Sequence, residues 1–154
     1  MLDSTPMLMG APISEIDLDQ RMELDLHPAP TWRMVATCND LAHGVLEDWS
    51  MTAVVEHVDD PATRCYAATL HGKVACALLA REHDDDCYFW FVATIPEARG
   101  RGLAAELVRI ALRAAQQRGC ETTTLESTAM AESLYSNLGF RALGRYQMWE
   151  RRSA

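Results

Sequence analysis

No two of the five cysteines, Cys38, Cys65, Cys76, Cys87 and Cys120, stand in Cys-x-x-Cys spacing, and their number is odd. Zinc-ribbon and redox-pair chemistry are therefore set aside in favour of small buried thiols in a reducing compartment. No apolar run comes near the roughly 20 residues that a membrane-spanning helix needs. The first residues carry Asp3 and no basic stretch, unlike a secretory leader. The expectation is a soluble, cytoplasmic protein. Positive charge is scarce at the front: residues 1–60 hold twelve acidic side chains against Arg21 and Arg33, whereas residues 61–154 hold ten acidic against twelve basic. A nucleic-acid partner calls for a basic face, which this distribution does not offer. The acidic half either draws in a cationic partner or forms a solvated surface that keeps the chain soluble. Repeats and low-complexity tracts are absent too. At 154 residues the chain reads as a single domain, 1–154, large enough for a real core, with residues 1–30 an N-terminal extension or the first strands.

What the chain does have is concentrated at Arg99-Gly100-Arg101-Gly102-Leu103-Ala104. An unbroken apolar stretch, Tyr88–Ala93, comes before it and is closed by Thr94-Ile95-Pro96; a long amphipathic segment ending at Gly119 comes after it. The order is buried strand, short loop, helix, with two glycines where the helix begins. A helix N-terminus presents unpaired main-chain N–H groups and the positive end of the macrodipole. Glycines there let the backbone approach a phosphate closely, so the element has the build of a phosphate cradle. Arg99 and Arg101 add charge able to pair with phosphate oxygens. A P-loop would need Gly-Lys-Ser/Thr, and a dinucleotide fingerprint a third glycine in frame; neither is present.

The frame that fits is Arg99-x-x-Gly102-x-Ala104, followed downstream by Ala131-Glu132-Ser133-Leu134-Tyr135-Ser136-Asn137-Leu138-Gly139-Phe140. Together these two motifs resemble the GNAT superfamily of acyl-CoA-dependent N-acetyltransferases. The resemblance runs from about Arg64 to Trp149, is weaker over Thr31–Asp60, and is not seen before Met22. It implies an α/β fold with a mixed central sheet of six to seven strands, splayed between the fourth and fifth and flanked by about four helices. It also implies acetyl-CoA as co-substrate, with its pyrophosphate on Arg99, Gly100, Arg101, Gly102, Leu103 and Ala104. The pantetheine arm would pair with main-chain groups of Val92, Ala93 and Thr94, and Tyr135 would stand beside the thioester. Many relatives carry an asparagine near the coenzyme where this chain has Ser127 or Thr128, so hydroxyls of Ser133 and Ser136 are the alternative contacts. No metal is implied. Relatives commonly pair as homodimers through the last strand, here Arg145–Glu150 with Tyr146, Met148 and Trp149.

The remaining elements follow from pattern. Met7-Leu8-Met9 reads as a short strand or an apolar anchor ended by Gly10-Ala11-Pro12, and Arg21–Leu26 alternates as a strand does. Thr31 is an N-cap for a helix with Trp32, Val35, Cys38/Asn39 and Ala42 on one face. A second helix is expected from Ser50 to Val58. Arg64–Leu70 and Lys73–Glu82 form a hairpin about His71-Gly72. The continuous apolarity of Tyr88–Thr94 implies a strand covered on both faces. Helix Gly102–Arg118 turns Leu103, Leu107, Ile110/Ala111 and Ala114 inward and Glu106, Arg109, Arg113 and Gln116/Gln117 to water. Glu121–Ser127 is the parallel strand after the crossover, followed by helix 129–138 and strands Phe140–Leu143 and Arg145–Glu150.

Acyl transfer to an amine needs a base, a stabilised oxyanion and a proton for the leaving thiolate. Tyr135, a phenol with an ordinary pKa of about 10, is the candidate acid. Candidates for the base are Glu126, at the C-terminal end of its strand, and His43, Glu56 and His57; a water relay is the alternative. Each of these side chains is also an ordinary surface or packing residue in other settings. Trp90 is a candidate wall of the thioester tunnel, while Trp32 and Trp49 are candidates for an acceptor pocket. The acceptor is expected to be a primary amine of a small molecule or peptide, with a cationic one favoured by the acidic front. The rivals are a coenzyme-A-binding module without turnover, and an acyltransferase for longer chains.

Overall fold

The computed structural model describes residues 2–45 and 60–149. Its strands are β1 (Leu2–Ser4), β2 (Met7–Pro12), β3 (Asp25–Leu26), β4 (Thr63–Leu70), β5 (Lys73–His83), β6 (Asp86–Thr94), β7 (Thr122–Ser127), β8 (Arg141–Arg145) and β9 (Met148–Trp149). Its helices are α1 (Trp32–His43), α2 (Leu103–Gln117) and α3 (Glu132–Leu138). The expected helix at 50–58, with Trp49, Glu56 and His57, lies outside the described residues.

Seven strands form one mixed sheet in the order β3-β4-β5-β6-β7-β2-β8, and β1 and β9 make a separate two-stranded ribbon. The β4–β5 turn is the expected tight one: His71 and Gly72 both have positive φ, 52° and 75°, as a hairpin loop matched to strand twist requires. β6 and β7 are the parallel pair on either side of the α2 crossover. α2 and α3 pack one face of the sheet around Leu78, Phe89, Leu107, Leu112 and Leu125. α1 packs the opposite face through Val35 and Cys38 against Ala77, Leu79 and Ala93.

The feature that positions the site is a bulge in β6. Ala93 pairs with Ala77 and Trp90 with Leu79, so Phe91 and Val92 together oppose Leu78. Phe91 takes up the extra residue with φ of 49°, an unfavourable value for a bulky side chain. The β6–β7 ladder runs from Asp86/Thr122 to Phe89/Leu125, and the rest of β6 has no partner on that side. Setting aside the short β1 and β3, the two strands that part are the fourth and fifth, as the resemblance implied.

Several expectations are corrected. Met7-Leu8-Met9 is a strand, not an anchor, but it does not end at Gly10: it runs on to Pro12 as an interior strand between β7 and β8. The strand expected at Arg21–Leu26 is reduced to Asp25–Leu26. β6 is fully covered on one face alone, where Cys87 and Phe89 are buried; Tyr88 and Trp90 on the other are half-buried. The last strand does not flank the sheet, because Met148–Trp149 pairs with β1; on that side the sheet ends at β8, exposed along its whole length. Val108, Leu112 and Ala115 join the α2 core, and Ala114 is half-buried.

Glu106 and Arg109, expected to face water, are buried. The chain segment after β2 crosses α2 and covers them. Arg109 Nη1 donates to Glu106 Oε2 at 3.3 Å, as does the Arg21 main-chain N–H at 3.0 Å, while Arg113 Nη2 lies 3.5 Å from Oε1. Arg109 Nε donates to Asp17 O at 3.0 Å and Arg113 Nη1 to Leu18 O at 2.5 Å. Asp17 is held below the usual carboxylate range, chiefly by the hydrogen bond from Arg21. Burying Glu106 is tolerable because guanidinium and amide donors surround it.

Candidate active site

Where β6 leaves β7, a cavity of about 460 Å³ opens between the strands, the start of α2 and the α3 face. Its walls include Val92, Ala93 and Thr94 from β6, Arg99 to Ala104 from the loop and α2, Glu126 from β7, and Tyr135 from α3. The structure thus brings those sequence-selected residues around one space. Ser133 and Ser136 are exposed on α3 and are not part of its wall.

Each wall offers something different. Ile95 N–H donates to Ala75 O on β5, so alternation along the strand turns the main-chain groups of Ala93 toward β5 and those of Val92 and Thr94 into the opening. Next comes the helix start. Gly100 and Gly102 both lie in the left-handed region, at φ of 74° and 78°, which carries the chain from the loop into α2. Glu106 N–H to Gly102 O is the bond that begins the helix, so the N–H groups of the first turn have no helical acceptor. No side chain caps them. A Cβ on Gly102 would meet nothing closer than Met22 Sδ at 3.8 Å, so its φ rather than crowding calls for glycine there.

The two arginines differ. Arg99 Nη2 donates to Ala42 O at 2.6 Å and its Nε to Thr94 O at 3.3 Å, so its guanidinium rests on main-chain carbonyls. Arg101 is exposed and makes no hydrogen bond or ion pair among the described residues.

Tyr135 is 4% exposed and packs edge-on against Phe140, with ring centroids 5.7 Å apart. Burial pushes its phenol well above the usual range, which keeps it protonated. Glu126 sits at the other end of the opening. Tyr88 and Tyr146 lie near enough to its carboxylate for it to act on both phenols. Burial first, then Glu126, raises Tyr88 to about 12; the same two causes raise Tyr146 to about 12. Trp90 packs edge-on against the Tyr88 ring, with centroids 5.4 Å apart. Phe91, not Trp90, lines the cavity, as does His43 at the end of α1. Trp32 packs against the α1 core cluster, and Trp149 is exposed. Tyr88 and Tyr146 escaped the sequence reading because only the sheet register brings them to Glu126.

The cysteines are free thiols, four of them buried. Burial raises Cys38 to about 11 and Cys76 and Cys87 to about 12, so they are protonated and unreactive. No group of three or more potential metal ligands occurs among the described residues. No helix among them is long and apolar enough to cross a membrane.

The sequence profile of the Acetyltransferase (GNAT) family matches residues 25–140. The N-alpha-acetyltransferase MAK3 of Arabidopsis thaliana is 36% identical over 83 residues, covering 49% of this chain and 44% of the relative. Among solved structures, an acetyltransferase of the GNAT family from Novosphingobium aromaticivorans aligns with a TM-score of 0.65 at 24% identity, over 96% of this chain and 64% of that one. The ribosomal-protein-S18-alanine N-acetyltransferase from Escherichia coli aligns at 0.62 and 22%, over 76% of this chain and 77% of that one. At these identities the structural likeness speaks to the fold. The chain spans less than half of the curated relative and under two thirds of the Novosphingobium protein.

Proposed function

We propose, for a chain that belongs to the acetyltransferase (GNAT) family, that it moves an acetyl group from acetyl-CoA directly to a primary amine of a small molecule or peptide. The observation that carries this reading is the single cavity. Val92 and Thr94 of β6, the start of α2, Tyr135 and Glu126 all line it.

The residues fit the substrate. The first-turn N–H groups at residues 100–104, with Arg101 beside them, suit a pyrophosphate. The strand edge at Val92, with the N–H of Thr94, suits the amide groups of the pantetheine arm. Glu126 takes a proton from the acceptor ammonium, and the neutral amine then attacks the thioester carbonyl. The C–N bond forms and the C–S bond breaks as Tyr135 gives its proton to the departing sulfur. The second nitrogen proton returns to Tyr135 through solvent and Glu126 gives its proton up to solvent, leaving amide and free thiol. Tyr88 and Tyr146, with pKa values near 12, stay protonated beside Glu126 throughout.

The acceptor in this reading is cationic, drawn by the acidic first sixty residues, and the protein acts in the cytoplasm. Two copies pair through the exposed apolar side chains Leu143, Tyr146, Met148 and Trp149. The test of the whole is thiol release from acetyl-CoA across a panel of amines, with products identified by mass spectrometry. Release with one amine class, and an acceptor KM that rises with ionic strength, is the expected result. Coenzyme binding without release for any amine makes the protein a binding module instead. Light scattering that returns a 17.2 kDa particle at micromolar concentration removes the dimer.

A further inference from the structure

The two hydrogen bonds of Arg99 join parts of the molecule that the chain keeps far apart. Ala42 O belongs to the last turn of α1, where carbonyls have no helical donor. The N–H groups of Gly44 and Val45 both go to Asp40 O, so Ala42 O takes its hydrogen bond from Arg99 instead. A guanidinium is favoured there because the helix C-terminus carries partial negative charge. Thr94 O is the end of β6, on the side that faces the opening. Ala42 and His43 line the cavity together with the loop that carries Arg99. One side chain therefore pins the end of α1 to the corner where β6 becomes the cradle loop.

We propose that Arg99 is a positioning residue. Its guanidinium stays on the carbonyls of Ala42 and Thr94 when coenzyme is bound, fixes the α1 wall of the cavity, and leaves Arg101 as the arginine that meets the phosphates. Two donors of one rigid fork reach two carbonyls, which a lysine ammonium on its flexible stem does not reproduce. The acceptor side of this inference rests on the function proposed above; the part concerning α1 and the coenzyme does not.

The experiment compares Arg99→Ala, Arg99→Lys and Arg101→Ala by amide hydrogen exchange, calorimetric titration with CoA, and steady-state kinetics. In Arg99→Ala the amides of Gly44 and Val45 exchange about tenfold faster or more, as loss of a charged hydrogen bond predicts. CoA Kd stays within about threefold, and acceptor KM rises about tenfold with kcat nearly constant. Arg99→Lys restores part of the exchange protection by reaching Ala42 O alone. Arg101→Ala does the reverse, weakening CoA with α1 exchange unchanged. A tenfold loss of CoA affinity in Arg99→Ala with α1 exchange unaltered overturns the proposal and makes Arg99 a phosphate ligand. If Arg99→Ala does not fold, Arg99→Lys decides by the same two binding and exchange readouts. Neither needs turnover, so absence of acetylation with every amine sinks the proposed function and leaves this inference to stand or fall on exchange and CoA affinity.

Discussion

The two ends of the α2 helix region handle polar groups in opposite ways. On its outer side, Glu106, Arg109 and Arg113 meet the segment from Asp17 to Arg21, and donors and acceptors of one answer those of the other. At its N-terminal end and along the adjoining half of β6, main-chain groups other than Thr94 O, which Arg99 holds, face the cavity without a ladder partner, and Glu126 lies beside two phenols. The first region is answered almost wholly from within the protein: Glu106 Oε1 alone lacks a hydrogen bond, with the Arg113 guanidinium 3.5 Å away. The second region leaves polar groups open to solvent and available to a ligand. Substitutions in the second region should therefore cut function and spare stability, and those in the first should do the opposite.

The largest expected effect is at Tyr135. Tyr135→Phe removes one proton and keeps the ring against Phe140, so kcat should fall by about 10²–10⁴-fold while CoA Kd barely changes. Retention of more than half of wild-type kcat, with chemistry rate-limiting, would show the tyrosine to be structural.

Next comes Glu106→Leu, which leaves Arg109 with one anionic partner fewer in a buried setting. The expected loss is about 3 kcal/mol in urea denaturation at unchanged m-value, with CoA affinity within twofold. An equally large loss of CoA binding would erase the division between the two regions.

Gly102→Val tests the cradle at a scale of about 1.4 kcal/mol, a tenfold weaker CoA Kd, because a β-branched residue resists the left-handed backbone that aims the first turn. Unchanged affinity in the folded variant would remove the phosphate from residues 100–104.

The smallest effect concerns Glu82, whose carboxyl is held below its ordinary value, first by the Arg118 hydrogen bond. A depressed folded pKa stabilises the protein above the ordinary carboxylate value near 4.5, and the contribution fades as pH falls through the lower folded value. Arg118→Gln should cost under about 1 kcal/mol at pH 7, and the gap from wild type should close in acid. A gap that widens below pH 4 would contradict the assignment.

What could be read in the sequence was local. The cradle is legible because strand, glycines and helix lie within one short stretch, and the hairpin at His71-Gly72 and the Thr31 cap are local as well. Met34 N–H donates to Thr31 Oγ1 as the cap residue type required. The misreadings were all long-range. Gly10 and Pro12 look like strand breakers, yet a Cβ on Gly10 would lie 3.0 Å from Thr123 O, so the strand keeps glycine to pass close to β7. Glu106 and Arg109 follow a surface-like i, i+3 charge pattern; what buries them is a segment some ninety residues earlier in the chain. Tyr88, Glu126 and Tyr146 lie on three separate stretches, and pattern within any one of them carries no sign of the other two.

The position of β2 has a consequence in time. Its hydrogen-bonding neighbours are β7 and β8, so residues 7–12 wait for residues 122–145 before they have anything to pair with. During synthesis the Met7-Leu8-Met9 stretch is therefore exposed while most of the chain is made, and the ladder it finally joins closes a very large loop. The meander β4–β5–β6 can assemble early from neighbouring strands. β2 is the strand that joins β8 to the rest of the sheet.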